Sequence, residues 1–352
     1  MVTSLLDSAR SPCDWLAQAA RRWPDSPALV VQDDTLDYTR LNLRTAQLCQ
    51  ILRSCGVEGG ATLAVESRCA SLLLFLLHAA LAADFVLCPL DPRLPKQQRT
   101  RLVELARADL VLSEDELVRL VQLAEASTST SPIHGSERPQ PVAAEGSQPV
   151  LDRPRLLIAT SGSGGSPKLV RLSDANLLAS VRAANHRLRL SRPAVWLACL
   201  PLIHIGGLSI PLRCVFAGAC VALQEGFHAQ SALDHLHRDQ VSHISLVPAM
   251  LAQLLDLAGR PPRALRVALV GGAPLSASLA RRALAAGWPL WVTYGMTETA
   301  SMLTVRELTA ADDDPHQLGI PLQGFELRLV DERGEPTSAE GVIQVRGAAV
   351  CD

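Results

Sequence analysis

The chain has 352 residues, 48% apolar and 19% charged, the balance of an ordinary globular protein with one large or two medium domains. A formal net charge of −2 supplies no field to attract DNA or an anionic membrane, and 3% aromatic residues leave little for a base-stacking surface, so no nucleic-acid partner is expected. Nine cysteines, an odd count with no C-x-x-C pair, indicate a reducing compartment, and the N-terminal MVTSLLDSARSPCDWL has no continuous apolar segment of the secretory kind, so the expected location is cytoplasmic.

From residue 13 to 120, helical and strand patterns alternate. Residues 36–56 read as a short strand running into an amphipathic helix, with Gly56 as a stop. Residues 61–65 form a strand candidate, 71–82 a helix and 85–90 another strand closed by Asp91-Pro92. His78 and Asp84 interrupt the apolar stretch 71–90, which therefore reads as buried core and not as a membrane span.

Residues 124–154 are rich in Ser, Thr, Pro and Gly and cannot bury enough surface to offset their ordering entropy, so they read as a flexible linker. Beyond them, strands are expected at 155–160, 195–200, 220–223, 243–247, 265–270 and 290–293, with helices at 173–187, 231–240, 249–258 and 276–286. Residues 324–347 alternate more openly around an Asp331-to-Gly334 turn, the pattern of an antiparallel hairpin or small barrel. The expected fold class is α/β. Two subdomains with largely parallel sheets, 1–123 and 155–318, are joined by the 124–154 linker and followed by the start of a small β-barrel at 319–352.

Four strand ends carry chemistry. After the strand at 155–160 comes Thr160-Ser161-Gly162-Ser163-Gly164-Gly165-Ser166-Pro167-Lys168. Its small residues let backbone approach a polyphosphate, its hydroxyls can donate to phosphate oxygens, and Lys168 supplies a countercharge. Pro167 stands where a Walker A loop needs glycine, which excludes a P-loop kinase or GTPase. Residues Tyr294-Gly295-Met296-Thr297-Glu298-Thr299 end another buried strand, and ligands of open α/β sheets gather at such carboxyl ends. There Tyr294 can stack on a purine, Thr297 can donate to a phosphate and Glu298 can hold Mg2+ through oxygen. Val270-Gly271-Gly272-Ala273-Pro274 offers backbone contact with a flat base, though the same residues would serve a plain strand-to-helix connection. His204, beside Gly206-Gly207, is a pocket-lining candidate. His235 and His237 lie two apart on one expected helix and would face different directions, which argues against zinc. Asp312 to Asp314 and Arg281-Arg282 read as solvated surface.

Taken together and in this order, these motifs resemble the adenylate-forming superfamily of acyl-CoA synthetases, adenylation domains and luciferases, over nearly the whole chain. Gly164 departs from the superfamily's phosphate-loop pattern, removing one hydroxyl. The resemblance implies that Thr160, Ser161, Gly162, Ser163, Gly165 and Lys168 form the phosphate loop, and that Gly271, Gly272, Ala273, Pro274, Tyr294 and Gly295 line the adenine site. It also implies that Thr297 touches phosphate, Glu298 binds Mg2+, and His204 lines the acyl pocket near the reacting carboxylate. The phrase Pro-Leu-Ile-His-Ile-Gly-Gly-Leu-Ser at 201–209 looks most like the o-succinylbenzoate–CoA ligases of menaquinone biosynthesis. The implied substrates are a small carboxylic acid, ATP and CoA. Other aryl or fatty acyl ligases, carrier-protein adenylation domains and a non-catalytic nucleotide-binding homologue stay open. A dicarboxylate needs a cation deep in the pocket, and Arg213 is the candidate. Superfamily members also deliver a catalytic lysine from a mobile C-terminal domain that this sequence does not contain. The expectation is therefore weak full turnover by this chain alone, with a homodimer or a small domain supplied in trans as further options.

Overall fold

Runs that are apolar on both faces become the inner strands of parallel sheets, because helices cover both sides. The computed structural model describes residues 15–32, 34–129, 152–161, 167–310 and 314–351. Helix α1 (Trp15–Arg22) leads to a hairpin of β1 (Pro27–Val31) and β2 (Asp34–Asp37), then to α2 (Tyr38–Ser54). The Asp37 side chain caps α2 by accepting from Arg40 N at 2.7 Å. Alternation continues through β3 (Thr62–Glu66), α3 (Ala70–Ala83), β4 (Val86–Leu90), α4 (Lys96–Ala106), β5 (Leu110–Ser113) and α5 (Glu114–Ser129). After β6 (Pro154–Ser161) and β7 (Pro167–Ser173) come α6 (Asp174–Leu188), β8 (Val195–Ala198), α7 (Ile205–Ala217), β9 (Cys220–Leu223) and α8 (Ala229–Arg238). Next follow β10 (His243–Leu246), α9 (Pro248–Leu257), β11 (Val267–Val270), α10 (Ala277–Ala285), β12 (Leu290–Met296), a single 3-10 turn at Thr297–Thr299 and β13 (Ser301–Glu307). The antiparallel pair β14 (Phe325–Val330) and β15 (Val342–Gly347) comes last, as the open alternation predicts.

The strands form an eight-stranded sheet ordered β13-β12-β11-β10-β8-β9-β1-β2 and a five-stranded sheet ordered β5-β3-β4-β6-β7. Inner neighbours are parallel, and the antiparallel pairs β12–β13, β1–β2 and β6–β7 lie at sheet edges. This topology corrects the division at the 124–154 segment. The N-terminal pair β1–β2 belongs to the larger sheet, and β6–β7, from beyond that segment, completes the smaller one. Sheet pairing is long-range, so each half of the chain closes an edge left open by the other. Helix α5 also runs into the Ser/Thr-rich segment as far as Ser129, while 130–151 lie outside the described residues.

Three further expectations change. The segment after the phosphate-loop candidate returns as strand β7 before α6 begins, residues 205–217 form helix α7 where the sequence pattern assigns no element, and β12 runs on to Met296 and turns back as β13. Helix α3 has almost no wet face: only Ser71 and Ala82 escape full burial. It packs against α7 around Leu74, His78, Pro211 and Cys214, so both sheets share one apolar core. A fully buried leucine stabilises by about 1.5–3 kcal/mol, which makes this seam a principal source of stability. Among the described residues, no helix is long and apolar enough to cross a membrane.

Two histidines are sealed into this core. Burial lowers the pKa of His78 to about 4, and burial likewise takes His243 to about 4. Both rings are neutral in the fold, whereas the unfolded chain protonates them below an ordinary pKa of about 6.5. Their contribution is thus fully present above pH 6.5 and is lost as pH falls towards 4, by up to about 3 kcal/mol each. Urea unfolding of the wild type at pH 7.5 and 5 should show this loss, and His78→Leu should flatten the pH dependence by about one proton. An unchanged slope in the variant would refute the assignment.

Candidate active site

Parallel neighbours point their carboxyl ends the same way, so the loops after β8, β11 and β12 open on one edge of the larger sheet. Gly271, at the end of β11, sits against β12 so closely that a Cβ there would meet Thr293 Cγ2 at 2.6 Å. Gly272 then takes the left-handed φ of +75° that glycine tolerates best. With exposed Gly272, Ala273 and Pro274 beside half-buried Tyr294, this makes a shelf of backbone and ring suited to a flat heterocycle.

The next residues turn sharply. A Cβ on Gly295 would lie 1.8 Å from Ser301 O, so only glycine lets β12 fold back on β13. Thr299 is fully buried and ties the turn from within. Its Oγ1 accepts from Met296 N at 3.1 Å and has Met296 O at 3.0 Å and Ser301 O at 3.1 Å as acceptors for its proton. Ser180 Oγ on α6 donates to Ala300 O at 2.7 Å. Thr297 is left half-buried and Glu298 exposed at the tip of a rigid turn.

Strands β6 and β7 pair from Pro154 and Ser173 up to Ser161 and Pro167, with Thr160 opposite Lys168. The described ends of the phosphate-loop candidate, Thr160-Ser161 and Pro167-Lys168, are therefore paired β-strand. Strand β7 runs alongside the Thr297–Thr299 turn, and Lys168, on that strand, is exposed like Glu298. Gly162, Ser163 and Gly165 lie outside the described residues, and Ser161 is placed by its backbone alone.

His204 is exposed at the N-cap of α7, and Asp91, Arg93 and Arg68 are near enough to act on its charge. Partial burial of the ring lowers its pKa, Asp91 opposes this, and the two arginines reinforce it. The Asp91-Pro92 turn of the smaller sheet thus lies within electrostatic range of His204 on the larger one. Nine residues along α7, about 13 Å at helical rise, Arg213 is 1% exposed. Its guanidinium lies 5.7 Å from the Trp196 ring centroid, and its Nε and Nη2 have no hydrogen-bond partner. Burial lowers its pKa to about 9. Ser180 and Thr299 escaped the sequence reading as site residues, since a single hydroxyl carries no pattern. Away from this region, His235 is buried against Asp239 at 2.6 Å and His237 is exposed, so the two rings face apart as their spacing requires.

The Gly206-Gly207 pair yields a discriminating prediction. A Cβ on Gly207 would lie 2.3 Å from Pro201 O, whereas one on Gly206 meets only Leu200 Cδ1 at 3.8 Å. Thermal denaturation should show Gly207→Ala destabilised by about 2 kcal/mol or more through backbone displacement, and Gly206→Ala neutral or stabilised by up to about 1 kcal/mol. Equal effects at both positions would contradict the α7 entry described above.

The AMP-binding enzyme family model matches residues 16–352. The 2-succinylbenzoate–CoA ligase of Bacillus cereus is 29% identical over 344 residues, 96% of this chain and 70% of that protein. Among solved structures, the o-succinylbenzoate coenzyme A synthetase of Bacillus subtilis with ATP and magnesium is similar at a TM-score of 0.84 and 26% identity, covering 96% of this chain and 71% of that one. The N-terminal subdomain of Klebsiella oxytoca NpsA shares the fold at a TM-score of 0.81 and 19% identity, covering 97% of this chain and 88% of that one. A matched segment that includes the shelf, the Glu298 turn and the phosphate-loop hairpin makes the assignment plain: this chain belongs to the AMP-binding enzyme family.

Proposed function

We propose that the chain carries the ATP- and acid-binding part of an acid–CoA ligase for an aromatic acid with a second carboxylate, of the o-succinylbenzoate type. The observation that carries the acid class is Arg213. A buried guanidinium whose Nε and Nη2 lack hydrogen-bond partners is costly, and a substrate carboxylate reaching down α7 would supply the missing acceptor. The printed names of the relatives, 2-succinylbenzoate–CoA ligase and o-succinylbenzoate coenzyme A synthetase, point to the same acid.

In this reading the substrate's other carboxylate attacks the α-phosphorus of ATP, forming an acyl-adenylate and releasing pyrophosphate, and the CoA thiol then displaces AMP. Little covalent help from protein is required, since charge gathers on phosphate oxygens and positioned charges stabilise it. Lys168 and the hydroxyls around it hold the polyphosphate, the 271–274 shelf and Tyr294 orient the base, and Thr297 donates to phosphate. The exposed Glu298 carboxylate with the Thr297 hydroxyl is an oxygen donor set that fits Mg2+, which supplies charge neutralisation at the phosphates when bound. His204 stands at the mouth of the acyl pocket, where partial desolvation favours its neutral form. We place the lysine-bearing step of adenylation on a further domain, in the same chain or in trans. We place the protein in the cytoplasm, a location supported by eight unbridged cysteines among the described residues.

Calorimetry with two non-hydrolysable acyl-adenylate analogues tests the acid class, one carrying the second carboxylate and one lacking it. Arg213→Met should weaken the diacid analogue by roughly a hundredfold and leave AMP and the mono-acid analogue unchanged. The unliganded variant should melt no lower than wild type, because a buried charge with two unsatisfied nitrogens has been removed. Equal loss for both analogues would reject the dicarboxylate reading, and no adenine-nucleotide binding at all would reject the ligase reading.

A further inference from the structure

Asn176, in the first turn of α6, uses every polar atom of its side chain. Its Oδ1 accepts from Ser173 N and from Ser173 Oγ, both at 2.9 Å. Its Nδ2 donates to Ala348 O at 3.0 Å and to Val350 O at 2.9 Å. The segment it grips continues to Cys351, whose backbone N donates to Glu298 O at 2.8 Å. One side chain therefore spans from the last residue of β7, the strand bearing Lys168, to the segment bonded to the residue expected to hold magnesium. Only an amide can do this. The Ser173 side needs an acceptor and the 348–350 side needs two donors, which aspartate lacks.

The post on which Asn176 stands is itself fixed. Arg155 holds Asp174 through Nε to Oδ1 at 2.7 Å and Nη2 to Oδ2 at 2.9 Å, with Asp174 1% exposed. Asp84, at the end of α3, accepts from both Arg155 and Arg153. This bidentate, largely buried network anchors the base of the hairpin and the start of α6 as one unit. The polar atoms of Asn176 all face backbone or Ser173, so it has nothing left to offer a substrate, and its effect must pass through the elements it joins.

The geometry points to Asn176 as a positioning residue that sets the spacing between the Lys168 hairpin and the Thr297–Glu298 turn, and with it the fit of magnesium to the polyphosphate. This deepens the ligase reading and rests on Glu298 being the metal-binding carboxylate. The mechanical link itself stands on contacts that need no ligand.

Two measurements on the purified chain test it, with Asn176→Asp and Asn176→Ala as variants and, as a control for general loosening, Leu254→Ala on α9, whose side chain is buried in a second apolar cluster with Leu246 and Val270. In amide hydrogen exchange without nucleotide, the 297–301 and 351 amides should exchange about tenfold or more faster in both Asn176 variants and not in the control. In ATP binding by calorimetry, the half-saturating Mg2+ concentration should rise about tenfold, the worth of one or two hydrogen bonds. Binding of ATP without metal should change less than about twofold, since base and phosphate-loop contacts persist. Unchanged exchange at 297–301, equal acceleration in Leu254→Ala, or parallel loss of metal-free and metal-bound affinity would each overturn the proposal. A wild-type chain that binds no ATP would sink the nucleotide reading, while the exchange comparison would still decide the role of Asn176.

Discussion

The site depends on helices α3 and α7 having no solvent face. Each is buried along nearly its whole length, and they meet around Leu74, His78, Pro211 and Cys214. Burying apolar surface on all sides requires a sheet behind each helix, so neither sheet is satisfied without the other. Once the helices are sandwiched, the edges of the two sheets have little freedom to slide. The Asp91 turn of one sheet then acts electrostatically on His204 of the other, and β7 stands beside the Thr297–Thr299 turn. Cross-links at the rim follow from the same arrangement. Glu225, beyond β9, accepts from the Ala70 and Ser71 amides at the start of α3 at 2.6 and 2.8 Å. Tyr38 OH, at the start of α2, donates to Ala219 O at 2.7 Å.

What the sequence made legible was local. The buried strands β9 and β11 read as continuous apolar runs because both faces are covered. Chemistry-bearing residues at strand ends were also legible, since parallel topology sends every such end to one edge. Strand β7 was not, because Lys168, Arg171 and Ser173 break its alternation and a good helix start follows at once, with Ser173 as cap. Helix α7 was hidden by Gly206, Gly207 and Pro211, residues that argue against a helix on propensity and are held there by burial on every side. The exchange of β1–β2 and β6–β7 between sheets is a long-range choice with no local signature. For the same reason the motifs gave the parts of the site without their distances.

Arg213 shows why a residue can be noticed for the right reason and still be understood only in three dimensions. In the sequence it is one arginine in an apolar helix, indistinguishable from one that snorkels to water. In the fold it is sealed beside Trp196, and the side chain of nearby Asn185 is spent in part on the Arg213 carbonyl at 3.0 Å. Removing the guanidinium from water while leaving Nε and Nη2 unpaired runs against stability, and burial answers by lowering its pKa towards 9. A protein selected for stability alone would place a neutral side chain there.

The Glu298 turn shows a similar cost in backbone form. Ala300 has φ of 50° and Ser301 φ of 106°, left-handed values that disfavour residues with a Cβ. Such residues cost on the order of 1–3 kcal/mol each and persist only where surrounding structure over-determines them. Here that structure is identifiable: Thr299 binds the turn from inside, Ser180 holds the Ala300 carbonyl, and Gly295 admits Ser301 O to where a Cβ would stand. Relaxing Ala300 and Ser301 to ordinary angles would break the Ser180 and Thr299 contacts that fix the turn. The strain is therefore held in place by identifiable contacts from α6 and from the turn itself.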